Sequence, residues 1–303
     1  MRYTSGFGYY SFDLRGQPLN LDITFTCGQA FRWRKLDNQV WRGVVRGKVL
    51  DLYVECGQLF WRTLPDEDEM LVRDYLRLDD DVESIYRHLS AADEYMAGLI
   101  RRFYGLRLLR QEPTETLLSF VCSAVNSIPR ISAAIEALSL RYGDLVCEQA
   151  GSCYYSFPSV EKLAAMPADA LSDAGSLGFR GRNLQLVARQ LLERGENWLD
   201  SLRSRPYIEA RQELMSLRGV GRKIADCVCL FALDKDEAVP VDTHVKQLAN
   251  RLWGLDFEGR ALTDRLYARI MAVFAERYGS LAGWAQQFLY YEDLLRSRNR
   301  FAS

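Results

Sequence analysis

The stretch Leu214-Met-Ser-Leu-Arg-Gly-Val-Gly-Arg-Lys-Ile-Ala-Asp-Cys-Val-Cys-Leu-Phe-Ala-Leu233 constrains this chain most. An apolar run with helical spacing, Leu214 and Leu217, stops at Gly219-Val-Gly221. A second run, with Ile224, Val228 and Phe231 on one face, begins at once. Two helices joined by so short a turn form a hairpin, expected over about residues 209–233. Gly219 and Gly221 permit positive φ and a close backbone approach. The second helix opens with free N–H groups at its positive dipole end, which suits an anion such as a phosphate.

Lys223 falls just inside that second helix, and Cys227 lies one turn further on the same face. A lysine at a helix start faces the positive end of the dipole, so it is electrostatically misplaced unless it has a task. The dipole and desolvation both favour the neutral, nucleophilic amine. Downstream, Val239-Pro-Val-Asp-Thr-His244 puts Asp242 at the N-cap of a further helix, Thr243 to Leu252. Taken singly, Lys223 also fits a phosphate-binding or solvated lysine, and Asp242 a plain cap.

The organisation reads as α+β, strands first and helices after. Residues 20–62 are expected to form an antiparallel sheet: Phe31-Arg-Trp-Arg34 alternates strictly, and Leu50, Leu52 and Val54 alternate with Asp51, Tyr53 and Glu55. Acid clusters around Asp66 to Glu69 and Asp79 to Asp81 sit at helix starts in a solvated, helical stretch over 65–110. Glu112-Pro-Thr-Glu-Thr116 begins a helix whose buried stripe is Leu117, Leu118, Val121, Cys122 and Val125. Residues 136–175 read as broken helices without chemistry. Leu262, Leu266, Ile270, Val273 and Phe274 form a core stripe, and a last helix carries Gln286, Tyr290 and Asp293 on one face. The expected division is a sheet domain with flanking helices over 1–110 and a helical domain over 111–303.

At 303 residues the chain can bury a large core. A net charge of −1 does not single out a nucleic-acid partner, but Arg180, Arg182, Arg218, Arg222 and Lys223 flank the hairpin and a loop before it. Two histidines make a histidine-based metal site a poor expectation, and none is assigned. Seven cysteines form no paired framework, and Met1 to Tyr10 has no signal-peptide form. Reduced thiols and a cytoplasmic protein are expected (nucleoid-associated in a bacterium, nuclear in a eukaryote). With no run of about 18 apolar residues, no membrane helix is expected. A monomer is expected.

The hairpin with Lys223, Cys227 and Val239-Pro-Val-Asp242 closely resembles the 8-oxoguanine DNA glycosylase/AP lyase family of the helix-hairpin-helix superfamily, and the resemblance runs from about residue 20 to 295. It implies an N-terminal TATA-box-binding-protein-like sheet, and duplex DNA containing 8-oxoguanine as partner. Cys27-Gly-Gln-Ala-Phe-Arg-Trp-Arg34 is similar to the family's Gly-Gln-x-Phe-Arg-Trp stretch, which implies that the Gly28 carbonyl accepts from the N7–H that guanine lacks. A strand-entry turn is the other reading of Gly28. Phe120-Val-Cys-Ser-Ala-Val-Asn-Ser-Ile-Pro-Arg130 resembles the motif in which an Asn fills the gap left by the flipped base and an Arg reads the opposite cytosine. Asn126 and Arg130 match. Val125 replaces the family's first Asn and cannot hydrogen-bond a cytosine edge. A helix C-cap is equally open to Asn126.

Leu177-Gly-Phe-Arg-Gly-Arg182, expected as a loop before a helix Asn183 to Glu193, resembles the loop supplying a wedge, Phe179, and a second opposite-base contact, Arg180. A solvent loop with a packing Phe is the plainer alternative. By the same resemblance Gln286 reads the Watson–Crick edge of the base, Tyr290 stacks on it opposite Cys227, Phe231 completes the pocket, and His244 joins the DNA contacts. A polar surface stripe is the other reading of the last helix. No cysteine follows Cys229, so the iron–sulfur cluster of the endonuclease III branch is not expected. The implied chemistry is attack of Lys223 on the sugar, a Schiff base and strand nicking, with Asp242 stabilising positive charge and no cofactor beyond an optional monovalent cation at the hairpin. Two competitors are a monofunctional glycosylase for alkylated bases, using Asp242 and water, and a non-catalytic helix-hairpin-helix DNA-binding protein.

Overall fold

The computed structural model describes residues 2–4, 8–124, 126–255 and 261–301. Val125 lies outside them. The N-terminal half carries a six-stranded antiparallel sheet of β1 (Arg2–Thr4), β2 (Tyr9–Asp13), β3 (Trp33–Lys35), β4 (Trp41–Val45), β5 (Lys48–Glu55) and β6 (Gln58–Leu64). The spatial order is β1-β2-β6-β5-β4-β3. Leu50, Leu52, Leu59 and Trp61 point into a core closed by α1 (Leu21–Thr26) and α2 (Glu69–Tyr75). Asp51 alternates with them onto the other face. It is nevertheless buried there, between Arg42 (2.5 and 2.7 Å) and Arg62.

The expected sheet over 20–62 is thus interrupted. Residues 21–26 are a helix capped by Asn20, whose side chain accepts from Ile23 N–H. A helix of under two turns leaves no periodicity to read. The acid clusters do start helices: Asp68 caps α2, Asp81 caps α3 (Val82–Ala92) and Asp93 caps α4 (Glu94–Arg102).

The helical half comprises α5 (Pro113–Val121), α6 (Ile128–Tyr142), α7 (Val160–Ala165), α8 (Ala168–Ala174), α9 (Phe179–Arg194), α10 (Trp198–Ser201), α11 (Tyr207–Met215), α12 (Arg222–Ala232), α13 (Thr243–Trp253), α14 (Asp264–Tyr278) and α15 (Ala282–Phe301). A hairpin of β7 (Leu145–Gln149) and β8 (Ser152–Tyr155) stands where broken helices were expected. Its Tyr154 hydroxyl accepts from Arg42 at 3.0 Å, so it clasps the far face of the sheet.

The cores divide differently from the expected boundary at 110. Val82, Tyr86, Leu89 and Met96 of α3 and α4 belong to the helical core. At its centre runs α12, buried without interruption from Ala225 to Ala232. Each large apolar side chain hidden there contributes about 1.5–3 kcal/mol. The start of α15 presses on this helix: a Cβ on Gly283 would lie 2.3 Å from Leu230 Cδ1 and 2.6 Å from the Ala238 carbonyl. Glycine alone permits that approach, and it sets where Gln286 and Tyr290, further along α15, come to lie.

Candidate active site and nucleic-acid interface

The hairpin is α11 and α12 joined through Gly219 at φ +101° and Gly221, the N-cap of α12. A Cβ on Gly221 would meet nothing within 4 Å, so the first turn of α12 opens outward. Lys223 is its second residue. Its Nζ lies 3.4 Å from Ser123 Oγ and 4.8 Å from the centre of the Phe120 ring. One turn on, Cys227 is buried, and burial pushes its thiol up to about 12. The Asp226 and Asp242 carboxylates add to that rise and Lys223 opposes it, so Lys223, Cys227 and Asp242 share one neighbourhood.

Asp242 caps α13, accepting from Val245 N–H at 2.9 Å. The residue before it is held as well: Val241 N–H donates to the Tyr267 hydroxyl at 3.1 Å, which donates to Asp226 Oδ2 at 2.5 Å. Asp226 is fully buried and also accepts from Tyr207 and Arg211, each at 2.7 Å. That network ties the Asp242 loop to α12, one residue from Cys227.

A second group adjoins His244, two residues after Asp242. Gly28 adopts φ +84°, and a Cβ there would meet Ile128 Cδ1 at 3.1 Å and Tyr290 Cε1 at 3.2 Å. The Gly28 turn and the Tyr290 ring are therefore in contact across the two halves. Gln286 is 4 % exposed, and its Oε1 has no hydrogen-bond partner among the described residues. Leaving a buried acceptor unsatisfied costs about 1–3 kcal/mol. The α15 polar residues are not a solvated stripe, since Gln286, Gln287, Glu292 and Asp293 are all buried. His244 Nδ1 sits 3.0 Å from Asp293 Oδ2, and its ring meets the Tyr290 ring edge-on at 6.0 Å. Phe231 lies two turns beyond Lys223 on the same face of α12, buried and stacked at 5.7 Å on Phe120, the ring that the Lys223 ammonium also approaches.

The expected wedge loop is helical. α9 begins at Phe179, not Asn183, since Gly178 at φ +56° acts as the N-cap. Phe179 projects from that tip, 61 % exposed. Arg180 turns back, donating to the Ala124 carbonyl at 2.5 Å and the Leu177 carbonyl at 3.0 Å, which ties the Phe179 tip to the turn after α5. Asn126 Nδ2 reaches the Cys122 carbonyl at 3.5 Å, the contact of a C-cap, and Arg130 is exposed on the first turn of α6. The sequence reading passed over Ser123, Phe120, Tyr267 and Asp226. Ser123 and Phe120 stood inside a recognisable motif. The Tyr267 contact spans 41 residues and left no local signal.

Residues 11–117 match the family model described as 8-oxoguanine DNA glycosylase, N-terminal domain, and residues 118–272 match that of the HhH-GPD superfamily base excision DNA repair protein. The chain is 33% identical to the N-glycosylase/DNA lyase OGG1 of Arabidopsis thaliana, over 94% of this chain and 80% of that protein. It is 32% identical to the N-glycosylase/DNA lyase of Saccharomyces cerevisiae, over 73% of this chain and 65% of that one. Among solved structures it is similar to the Clostridium acetobutylicum 8-oxoguanine glycosylase/lyase bound to duplex DNA with cytosine opposite 8-oxoguanine. That likeness has a TM-score of 0.83 and 32% identity over 93% of each chain.

Proposed function

The chain belongs to the 8-oxoguanine DNA glycosylase/AP lyase family, and from that membership we infer that it excises 8-oxoguanine from duplex DNA and nicks the strand at the resulting site. The observations that support the residue assignment are that Cys227 feels both Lys223 and Asp242, and that Tyr290, in contact with the Gly28 turn, meets His244, two residues after Asp242. An enzyme acting on a base inside a duplex must first extrude it, at about a few kcal/mol. The exposed Phe179 ring fills the step so opened, with Asn126 and Arg130 beside the gap. The amides of the Gly219–Gly221 turn hold a backbone phosphate at the α12 dipole end.

The extruded base lies between Cys227 and Tyr290. A neutral thiol suits that position, since a thiolate would repel the electron-rich purine. Gln286 Oε1 finds its missing donor on the Watson–Crick edge. Lys223 Nζ attacks the sugar C1′, the C1′–N9 bond breaks, and its electron pair leaves with the base. The amine loses a proton, and ring opening gives an iminium at C1′. Loss of a C2′ proton then expels the 3′ phosphate. Asp242 stabilises the positive charge that builds on the sugar as the base departs. The reading needs no metal or organic cofactor. All the groups it names lie in one chain, which is consistent with a monomer.

Borohydride trapping on a duplex with one 8-oxoguanine opposite cytosine tests it. The wild type is expected to give a covalent protein–DNA adduct and Lys223→Gln none. Release of free base without an adduct in the wild type would instead assign a monofunctional reaction to Asp242 and water.

A further inference from the structure

Hydrogen bonds converge on the turn that carries Gly28, yet none ends on the Gly28 carbonyl among the described residues. Gln287 Nε2 donates to the Cys27 carbonyl at 2.7 Å, and Gln111 Nε2 donates to the Gln29 carbonyl at 2.7 Å. The Gln29 side chain, wholly buried, donates to the Thr24 and Arg107 carbonyls at 3.0 and 2.8 Å and accepts from Leu109 N–H at 3.0 Å. The carbonyls before and after Gly28 are thus each held by a side-chain amide, while its own is left over.

This arrangement fixes where the spare oxygen sits. A bond to the Cys27 carbonyl fixes the plane of the Cys27–Gly28 peptide, and one to the Gln29 carbonyl fixes the Gln29–Ala30 plane. The peptide between them can turn only if Gly28 ψ and Gln29 φ counter-rotate. Gln29 is not among the residues at positive φ, and its side chain is pinned by the bonds above. A flip would drive a pinned glutamine into the region that non-glycine residues avoid.

The two anchors come from different places. Gln287 follows Gln286 on α15, about 100° around the helix. Gln111 precedes α5, and its own N–H donates to the Phe231 carbonyl of α12 at 2.8 Å. The Gly28 turn belongs to the sheet half, but it is referenced to both helices that carry the rest of the pocket. We propose that Gln287 and Gln111 are positioning residues that aim the Gly28 carbonyl at the extruded base, and that preference for a purine bearing an N7–H depends on them. The proposal rests on the reading of Gly28 as the acceptor for that proton. Neighbouring glutamines on α15 thereby take separate tasks, Gln286 reading the base and Gln287 aiming the carbonyl that reads it.

The test compares wild type with Gln287→Met and Gln111→Met, which keep the length of the side chain and remove the donor. Two single-turnover rates are read: excision of 8-oxoguanine opposite cytosine, and nicking of a duplex that already holds an abasic site. Excision is expected to fall about tenfold or more in each variant, while abasic nicking, which needs no base recognition, stays within about twofold. Gln111 is only half-buried, so its variant guards against a Gln287→Met chain that fails to fold. Gln287→Glu adds a signature of its own, because its excision defect is expected to shrink as pH falls and the carboxyl regains a proton to donate. Parallel loss of both rates would reduce the glutamines to structural supports and overturn the proposal, as would unchanged excision. A wild type that nicks abasic DNA but releases no 8-oxoguanine would fail at the reading of Gly28 itself, and the proposal would fall with it.

Discussion

Asp242 is a helix cap that the proposed reaction also gives a catalytic charge, and a single substitution separates the two roles. Its Oδ1 accepts from Val245 N–H, a cap whose loss to alanine costs about 1 kcal/mol. Its charge reaches Cys227 and thus the end of α12 that bears Lys223. Asparagine caps about as well as aspartate but brings no charge. Asp242→Asn is therefore expected to melt within about 2 °C of wild type while base excision slows by about two orders of magnitude. Thermal unfolding beside single-turnover excision checks this, and a variant that excises normally would leave Asp242 as a cap and nothing more. The same pairing of roles explains what was legible at this scale. Lys223, Cys227 and Asp242 stand in local motifs whose spacing survives in the chain. Gln111 and Gln287 do not, because the bonds that define them span 82 and 260 residues.

Among the elements, α12, α13 and α15 could be read because each runs for three turns or more. The β7–β8 hairpin could not. Its strands are four and five residues long and half exposed, and their partners include a buried arginine on a distant sheet. The start of α9 was displaced by four residues because glycine at 178 and 181 reads as loop. Gly181 is in fact helical and set by packing. A Cβ there would lie 2.2 Å from Ser172 Oγ and 2.5 Å from Ser172 N of α8. Backbone cannot yield as a flexible side chain does. Gly181→Ala is expected to destabilise the chain by about 1–3 kcal/mol despite alanine's higher helix propensity. Since α9 bears Phe179 at its tip, the variant is also expected to bind abasic-site duplex more weakly. Urea unfolding decides the first point, and a gain in stability would mean that α8 and α9 part more easily than their spacing implies.

At the scale of the molecule, the groups proposed for catalysis lie on or at the start of helices and the carbonyl proposed for base reading lies on the sheet half, so the proposed reaction needs the seam between the halves to be held. Arg32, just beyond the Gly28 turn, donates to the Tyr155 carbonyl of β8 at 2.5 Å and lies 3.6 Å from Glu115 on α5. Burial raises the Glu115 carboxyl to about 7, with Arg32 opposing and Glu112 adding to the rise. A carboxyl raised in the folded state binds its proton more tightly than in the unfolded chain, where it titrates near about 4.3. Stability from this group is therefore full below that value, declines as pH rises toward about 7, and is level above it. Burial pushes Glu112 in the same direction, so its contribution has the same sign. The unfolding free energy of the wild type is expected to drop between about pH 5 and pH 7.5, and that of Glu115→Gln to drop less, because an amide has no proton to lose. Urea unfolding of both chains at the two pH values measures the difference. Equal drops would mean that Arg32 keeps Glu115 ionised throughout, making the seam an ion pair at every pH rather than a contact that loosens as its proton leaves.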